Sequence, residues 1–330
     1  MQNLARHSLL RILLPLLILL GLAALLLAWA DRPLDVERIR QARQLPEIPA
    51  ELPPAHPPAG LDFSVIRTSQ SQGTLEALIV GGGRWLQLRR PVHMAVLVRH
   101  PQGNFLFDLG LGRQVDAQFA VNTAFHRQLF GYAAVDPVKD QLARAGLAAL
   151  PLAFALPSHM HWDHVSGLPD FPELPLLAQP AEREQALRGE APYFLASQFA
   201  AHRPWRELRF SGGPYLGFAQ SLDLFGDGAA VLVPLGGHTA GQVGLFLNLP
   251  SGARYLFSGD VTWTLEGIRR PADRGWLARH ALHLDHDEAA NQAAIVQLHR
   301  LLRAQPRLQI VPAHDETLLP RLPLFPRFAS

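Results

Sequence analysis

No cysteine occurs anywhere in the 330 residues. This excludes a disulfide framework, a cysteine nucleophile and any metal site built on thiolate. It says nothing about compartment, because a core of this size needs no covalent staples. Lysine is nearly absent as well: Lys139 is the only one, so the basic side chains are almost all arginines. They are scattered, no basic run is interleaved with aromatics, and the formal net charge is +2. A nucleic-acid surface is therefore not indicated. Gly81-Gly82-Gly83 is not followed by Gly-Lys-Ser/Thr, so it reads as a turn between strands and not as a phosphate loop. Val165-Ser166-Gly167 lacks the flanking glycine of a serine-hydrolase elbow.

Charge is also missing from one long stretch. Ile12 to Ala30 is uncharged and apolar, with Arg6, His7 and Arg11 before it. As a helix it would reach ~28 Å, close to the hydrocarbon thickness of a bilayer. The run exceeds the usual signal-peptide core of about 7–15 residues, which favours an uncleaved membrane anchor. Ala28-Trp29-Ala30 is a fair cleavage site, so a secreted or periplasmic product is the alternative. Either way the positive flank stays in the cytoplasm and the remainder lies on the non-cytoplasmic, periplasmic side. Residues 1–30 are thus expected to be an anchor or signal segment, 31–60 a Pro-rich linker, and 61–330 the main folded domain. The linker carries Pro33, Pro46, Pro49, Pro53, Pro54, Pro57 and Pro58, and is expected as a semi-rigid spacer with a short helix over 36–44.

From Leu61 onward, strand-like runs alternate with helical ones. The pattern predicts strands over 63–67, 75–80, 92–98, 104–107, 222–224, 231–235, 243–247 and 254–257, and helices over 137–147 and 181–188. Glu288 to Ala304 is an amphipathic helix with Ile295, Leu298, Leu301 and Leu302 on its apolar stripe and Asp287 as its cap.

The most informative stretch follows the apolar run Leu152 to Leu156. His159-Met160-His161-Trp162-Asp163-His164 crowds four metal-capable side chains into one turn. Such crowding is costly unless something positive holds it, and neutral imidazole and carboxylate are ligands for zinc, manganese, iron or cobalt. Further strand-like runs end in His238, Asp260 and His314. One sheet edge collecting these ends would form one site. His283-Leu284-Asp285-His286-Asp287 has similar spacing, but no apolar strand feeds it. It reads as a helix cap on the surface, or else as a substrate-facing loop.

In these residues the chain resembles the metallo-β-lactamase fold superfamily of hydrolases, over roughly residues 61 to 320. The resemblance implies an α/β fold, a four-layer αβ/βα sandwich, here preceded by the N-terminal transmembrane helix. It implies that His159, His161 and His238 bind one metal, that Asp163, His164 and His314 bind a second, and that Asp260 bridges them together with a hydroxide. Zinc is the first candidate for both ions, with manganese, iron or cobalt as the others. Phe105 to Gly110 looks like the superfamily's early strand-and-turn motif, which makes Asp108 a brace behind the ligands. Two close cations make hydroxide available near neutral pH, and Asp163 is placed to orient it and to pass a proton to the leaving group.

β-Lactamases of this fold generally lack a bridging Asp, so Asp260 argues against that activity. Ser158 to Gly167 looks most like N-acyl-homoserine lactonases. Those enzymes commonly carry a Tyr three residues past the bridging Asp, where this chain has Trp263, which donates only through its indole N–H. The expected activity is cleavage of an ester or lactone in a small-molecule substrate. A thioesterase of the hydroxyacylglutathione type and a lipid phosphodiesterase are the alternatives on the same fold. A non-catalytic metal-dependent sensor is the alternative of another class, but none of the seven ligands is lost. The pocket walls are expected from the loops 193–215 and 263–286.

Overall fold

The computed structural model describes the backbone of residues 2–330 and the side chains of Pro15 and of residues 17–330. Within them lie fourteen strands. They are β1 (Asp62–Ser71), β2 (Thr74–Leu75), β3 (Leu88–Arg89), β4 (Val92–Arg99), β5 (Asn104–Phe107), β6 (Tyr132–Ala133) and β7 (Leu152–Leu156). The rest are β8 (Leu176–Ala178), β9 (Trp205–Glu207), β10 (Leu222–Asp223), β11 (Ala230–Pro234), β12 (Val243–Asn248), β13 (Arg254–Phe257) and β14 (Leu308–Val311).

The first sheet has the order β6-β1-β4-β5-β7-β8-β9, and the second β10-β11-β12-β13-β14. Their inner faces meet in one core that includes Phe63, Phe107, Leu156, Leu245, Phe257 and Val311. Phe63 meets Phe257 edge to face, with ring centroids 5.7 Å apart. The outer face of the first sheet is covered through Ile66, Leu106, Val138, Leu142 and Val165. That of the second is covered by the helix Glu288–Ala304, through Ile295, Leu298 and Leu301. Helix, sheet, sheet, helix is the expected four-layer sandwich. Asp287 caps the last helix as expected, its carboxylate accepting from Ala290 N.

Two expectations are corrected. The strand expected over 75–80 stops at Leu75 and gives way to a helical turn, Glu76–Ile79. Glu76 is drawn inward there by Arg84 and Arg89, and that ion pairing overrides the apolar run that suggested a strand. The spacer expected over 31–60 does not stand off from the domain. Its short helix, Val36–Ala42, lays Ile39 against Ala293 and Val296. The carbonyls of Pro46, Pro49 and Ala50 accept from the side-chain amides of Gln297 and Gln305. Proline-rich backbone has few N–H groups but every carbonyl, and the helix Glu288–Ala304 and its C-cap Gln305 supply the donors.

The N-terminal expectation falls only partly within the described residues. One helix runs over Gln2–Ala30, but the expected membrane segment Ile12 to Ala30 lies partly outside the described side chains. Among the described residues no helix is long and apolar enough to cross a membrane. The apolar side chains described on that helix are exposed, Leu25 at 69% and Trp29 at 63%.

Candidate metal centre

Strand direction assembles the site. β5 and β7 are parallel neighbours, and Asp108 and His159 follow their C-terminal ends. β11 and β13 each run antiparallel to β12, and β14 runs parallel to β13. Those three strands therefore end at one edge, and His238, Asp260 and His314 follow them. Two glycines close the turns. Gly259 sits at φ +54°, and Gly237 at φ +141°, where a Cβ would fall 2.3 Å from Asn291 N.

All seven predicted side chains converge. His159, His161 and His238 form one group whose ligand-capable atoms lie within 4.8 Å of one another. His161 Nδ1 is 3.0 Å from His238 Nε2. A second group joins His159, His164 and Asp260, and a third joins Asp163, His314 and an unpredicted residue, His93. Asp260 reaches across them: Oδ1 lies 3.3 Å from His164 Nε2, and Oδ2 lies 3.1 Å from His314 Nε2 and 3.7 Å from His238 Nε2.

The donor set fits divalent metal. His159 Nε2, His164 Nε2 and Asp260 Oδ1 are fully buried, and none has a hydrogen-bond partner. Buried polar atoms are rarely left so, and three converging on one spot are the arrangement a cation relieves. The far side of each ring is wired into the protein. Asp108 Oδ2 lies 3.0 Å from His164 Nδ1, and Ser158 Oγ 3.1 Å from His159 Nδ1. His314 Nδ1 donates to the Val92 carbonyl at 2.7 Å, which turns its Nε2 toward the cluster. Asp108 is the expected brace: it holds a left-handed backbone, φ +57°, and its Oδ1 accepts Ser158 N at 2.6 Å.

Burial, with neighbouring imidazoles adding to it, holds His159 and His161 well below the usual histidine range, which keeps both neutral. His238 is lowered by burial and by Arg274. Burial works against protonation at His164 too, but the carboxylates of Asp108, Asp163 and Asp260 outweigh it and push this imidazole well above its ordinary value. Burial likewise opposes charge on Asp260, yet His314 and His164 hold its carboxyl well below the usual range.

Trp263 donates its indole N–H to Asp260 Oδ2 at 2.9 Å, so its polar atom is committed to the carboxylate that links the groups. It also lines the cavity above them. That cavity, about 270 Å³, opens on His161, Asp163, His238, Asp260 and His314. Its walls come only in part from the expected loops, through Tyr193, Leu277 and Leu282. Phe125 and Phe130, and the segment 71–78 through Leu78, supply the rest.

Sequence reasoning missed four contributors. Asp285, expected as part of a surface cap, is buried with its Oδ1 2.8 Å from His238 Nδ1. Arg274 is buried beside it, 2.9 Å from Asp285 Oδ1, and also donates to the Asp260 carbonyl. The spacing of 283–287 did carry a signal, but of its residues it is Asp285 that reaches the centre. Glu182, in a helix with no visible motif, accepts Met160 N, Thr239 Oγ1 and Gly241 N at 2.7, 2.7 and 2.8 Å, which ties two metal turns together. His93 sits in the apolar strand β4, and no spacing marks it.

The family model described as the metallo-beta-lactamase superfamily matches residues 88–303. A probable metallo-hydrolase of Mycobacterium tuberculosis (strain ATCC 25618 / H37Rv) is 30% identical over 236 residues, covering 68% of this chain and 74% of the relative. An N-acyl homoserine lactonase of Rhizobium johnstonii is 26% identical over 188 residues, covering 55% of this chain and 69% of the relative. Among solved structures, an N-acyl homoserine lactone hydrolase with N-hexanoyl-L-homoserine bound at its catalytic metal center superposes with a TM-score of 0.64 at 17% identity, covering 82% of this chain and 100% of that one. A dizinc quorum-quenching lactonase gives a TM-score of 0.54 at 14% identity, over 81% of this chain and 92% of that one. At those identities the superpositions speak for the fold.

Proposed function

The chain belongs to the metallo-β-lactamase superfamily and is a metal-dependent hydrolase, and from that premise we propose that it cleaves an ester or lactone bond in a neutral substrate with an apolar acyl group. The observation that carries this reading is the cavity over the ligand cluster. Its walls are Leu78, Phe125, Phe130, Leu277 and Leu282, and among the described residues lining it there is no lysine or arginine. A phosphodiester or a glutathione thioester brings negative charge that such walls leave unpaired. An acyl chain fits them.

In this reading His159, His161 and His238 would hold one divalent ion, Asp163, His164 and His314 would hold a second, and Asp260 lies within reach of both groups. When bound, the ions supply Lewis acidity toward the carbonyl oxygen and lower the pKa of a water nucleophile. The residues of the chain do the rest. Asp163 lies at the cavity floor, where its carboxylate orients the attacking water and carries a proton to the departing alkoxide. Trp263 fixes Asp260 by occupying one of its lone pairs. Asp108 and Asp285 set the planes of His164 and His238. The aromatic walls keep bulk water away from the reacting carbonyl.

The expected placement on the non-cytoplasmic side of a membrane, tethered by the run Ile12 to Ala30, is part of the same proposal. It rests on the uncharged run and the arginines before it. An apolar substrate would partition toward such a surface.

The test is a panel of acyl lactones, aryl and alkyl esters, hydroxyacylglutathione thioesters and phosphodiesters, run with the full chain in detergent and added zinc or manganese. The expected result is turnover of lactones or esters with rates that rise with acyl length. Turnover confined to the anionic thioesters or phosphodiesters would sink the assignment.

A further inference from the structure

We propose that His93 is an eighth metal-facing side chain, presenting Nε2 as a ligand to the ion held by Asp163 and His314. This rests on the reading that the centre holds metal, and extends it to a residue outside the seven-ligand pattern.

Strand β4 is buried from Val92 to Val98, and Val92, Met94, Ala95 and Val96 around His93 are apolar. An imidazole in such a strand loses its hydration, and stays only where both ring nitrogens find a use. The fold has arranged one of those uses with a bulge. Between β1 and β4, Arg67 pairs with Met94 and Ser69 with His93, so Thr68 is an extra residue on β1. Bulges of this kind re-aim a side chain beside a functional site. Here the re-aimed residue is Ser69, whose hydroxyl lies 2.6 Å from His93 Nδ1.

With Nδ1 anchored, Nε2 faces the centre. It lies 3.8 Å from Asp163 Oδ2, too far for a hydrogen bond. His93, Asp163 and His314 offer ligand atoms that all lie within 4.8 Å of one another. Ligands held at ~2.1 Å from one ion sit about 3 Å apart when adjacent and ~4.2 Å apart when opposite. A separation of 3.8 Å therefore suits two ligands of one ion better than it suits a direct contact. The wiring also repeats that of the other imidazoles. His164, His238 and His314 each have Nδ1 tied to Asp108, Asp285 or the Val92 carbonyl, with Nε2 turned inward. His93 has the same wiring, with a serine hydroxyl as its anchor.

The consequence is a coordination number. Asp163, His164, His314, Asp260 and His93 give that ion five protein ligands, and one water completes six. Six-coordination suits manganese, iron or cobalt and departs from the tetrahedral preference of structural zinc. The two ions would then occupy unlike environments, a three-histidine site and a larger mixed one.

Cobalt(II) titration of the metal-free full chain, followed by visible absorption and by binding affinity, reads this without substrate. Six-coordinate cobalt absorbs weakly and four- or five-coordinate cobalt strongly. In the wild type, one equivalent should add weak absorption. In His93→Phe, that equivalent should absorb several-fold more strongly and bind at least about 10-fold more loosely, while the other equivalent is unchanged. Ser69→Ala keeps the imidazole and removes only its anchor. It should shift both readouts the same way by less, and it carries the test if His93→Phe does not fold. Two equivalents bound with the same spectrum and affinity in wild type and variant would overturn the role of His93 while leaving the dinuclear reading standing. Failure of wild type to take up a second equivalent would overturn both.

Discussion

Asp285 Oδ1 lies 2.8 Å from His238 Nδ1, on the opposite side of the ring from His161. The same oxygen is 2.9 Å from Arg274 Nη1, and both partners are buried. Burial opposes charge on Asp285, but the Arg274 guanidinium and His238 hold its carboxyl below the usual range. The imidazole therefore meets a carboxylate there, which fixes its tautomer with Nε2 free. Asp285→Asn should keep the fold and lower metal affinity about 10- to 100-fold. Metal content after dialysis against a graded chelator measures it, and unchanged retention would remove Asp285 from the site. Arg274→Met should cost more in stability, about 3–5 kcal/mol, because it strands the buried carboxylate. Denaturant unfolding of the metal-free protein reads that value.

Asp260 and Asp108 give a contrasting pair. Asp260 comes within 3.7 Å of three imidazoles in the centre, whereas Asp108 touches His164 from behind and braces Ser158. Asp260→Ala should abolish turnover and strip metal from the protein. Asp108→Ala should leave partial metal content and slow turnover. Elemental analysis of the two purified variants separates them, and equal metal content in both and in wild type would contradict the assignment.

What was legible in the sequence was whatever is local in it. A buried strand that ends in His or Asp can be read from a few residues, so the seven converging side chains and the strands beneath them were visible as a pattern. Asp287 was visible as a cap for the same reason. Glu182, Arg274 and His93 were not. Each acts through a partner far along the chain, Glu182 through Gly241 and His93 through Ser69 and Asp163, and no spacing encodes such a contact. Asp285 was read as part of a surface cap because no apolar strand feeds it and a helix follows, yet its buried position depends on Arg274 eleven residues earlier. The Pro-rich stretch misled for a related reason: composition predicts a stiff chain but not what it lies against.

A pH prediction follows from Glu76. Arg84, and after burial is overcome also Arg89, pull its carboxyl from an ordinary 4.5 down to about 2. A depressed carboxyl stabilises the fold fully above its unfolded pKa, and that contribution is lost as pH falls toward 2. Arg84 is largely exposed, so solvent screening leaves about 1 kcal/mol from this network. Glu76→Gln should be less stable than wild type by that amount at pH 7, with the gap shrinking below pH 4.5 and closing near pH 2. Denaturant unfolding of the two metal-free proteins at pH 7, 4 and 2 tests it, and a gap of unchanged size across that range would assign the effect to packing instead.

The last prediction concerns where the chain resides. The run Ile12 to Ala30 is uncharged, and Arg6 and Arg11 precede it. The chain that follows is held firmly to the domain: Asp31 Oδ1 accepts Trp276 N at 2.6 Å, at the start of the helix Trp276–Leu282 that supplies cavity-wall residues. An anchor ending at Ala30 would therefore bring the cavity wall close to the bilayer, which suits a substrate with an apolar acyl group. We expect the mature chain to stay with membranes through a carbonate wash, and externally added protease to reach the domain only once the outer barrier is opened. N-terminal sequencing supplies the second half of the test. A soluble product beginning at Asp31 would make this a secreted or periplasmic enzyme, freed by cleavage after Ala28-Trp29-Ala30. A product recovered from the cytoplasm would sink both placements.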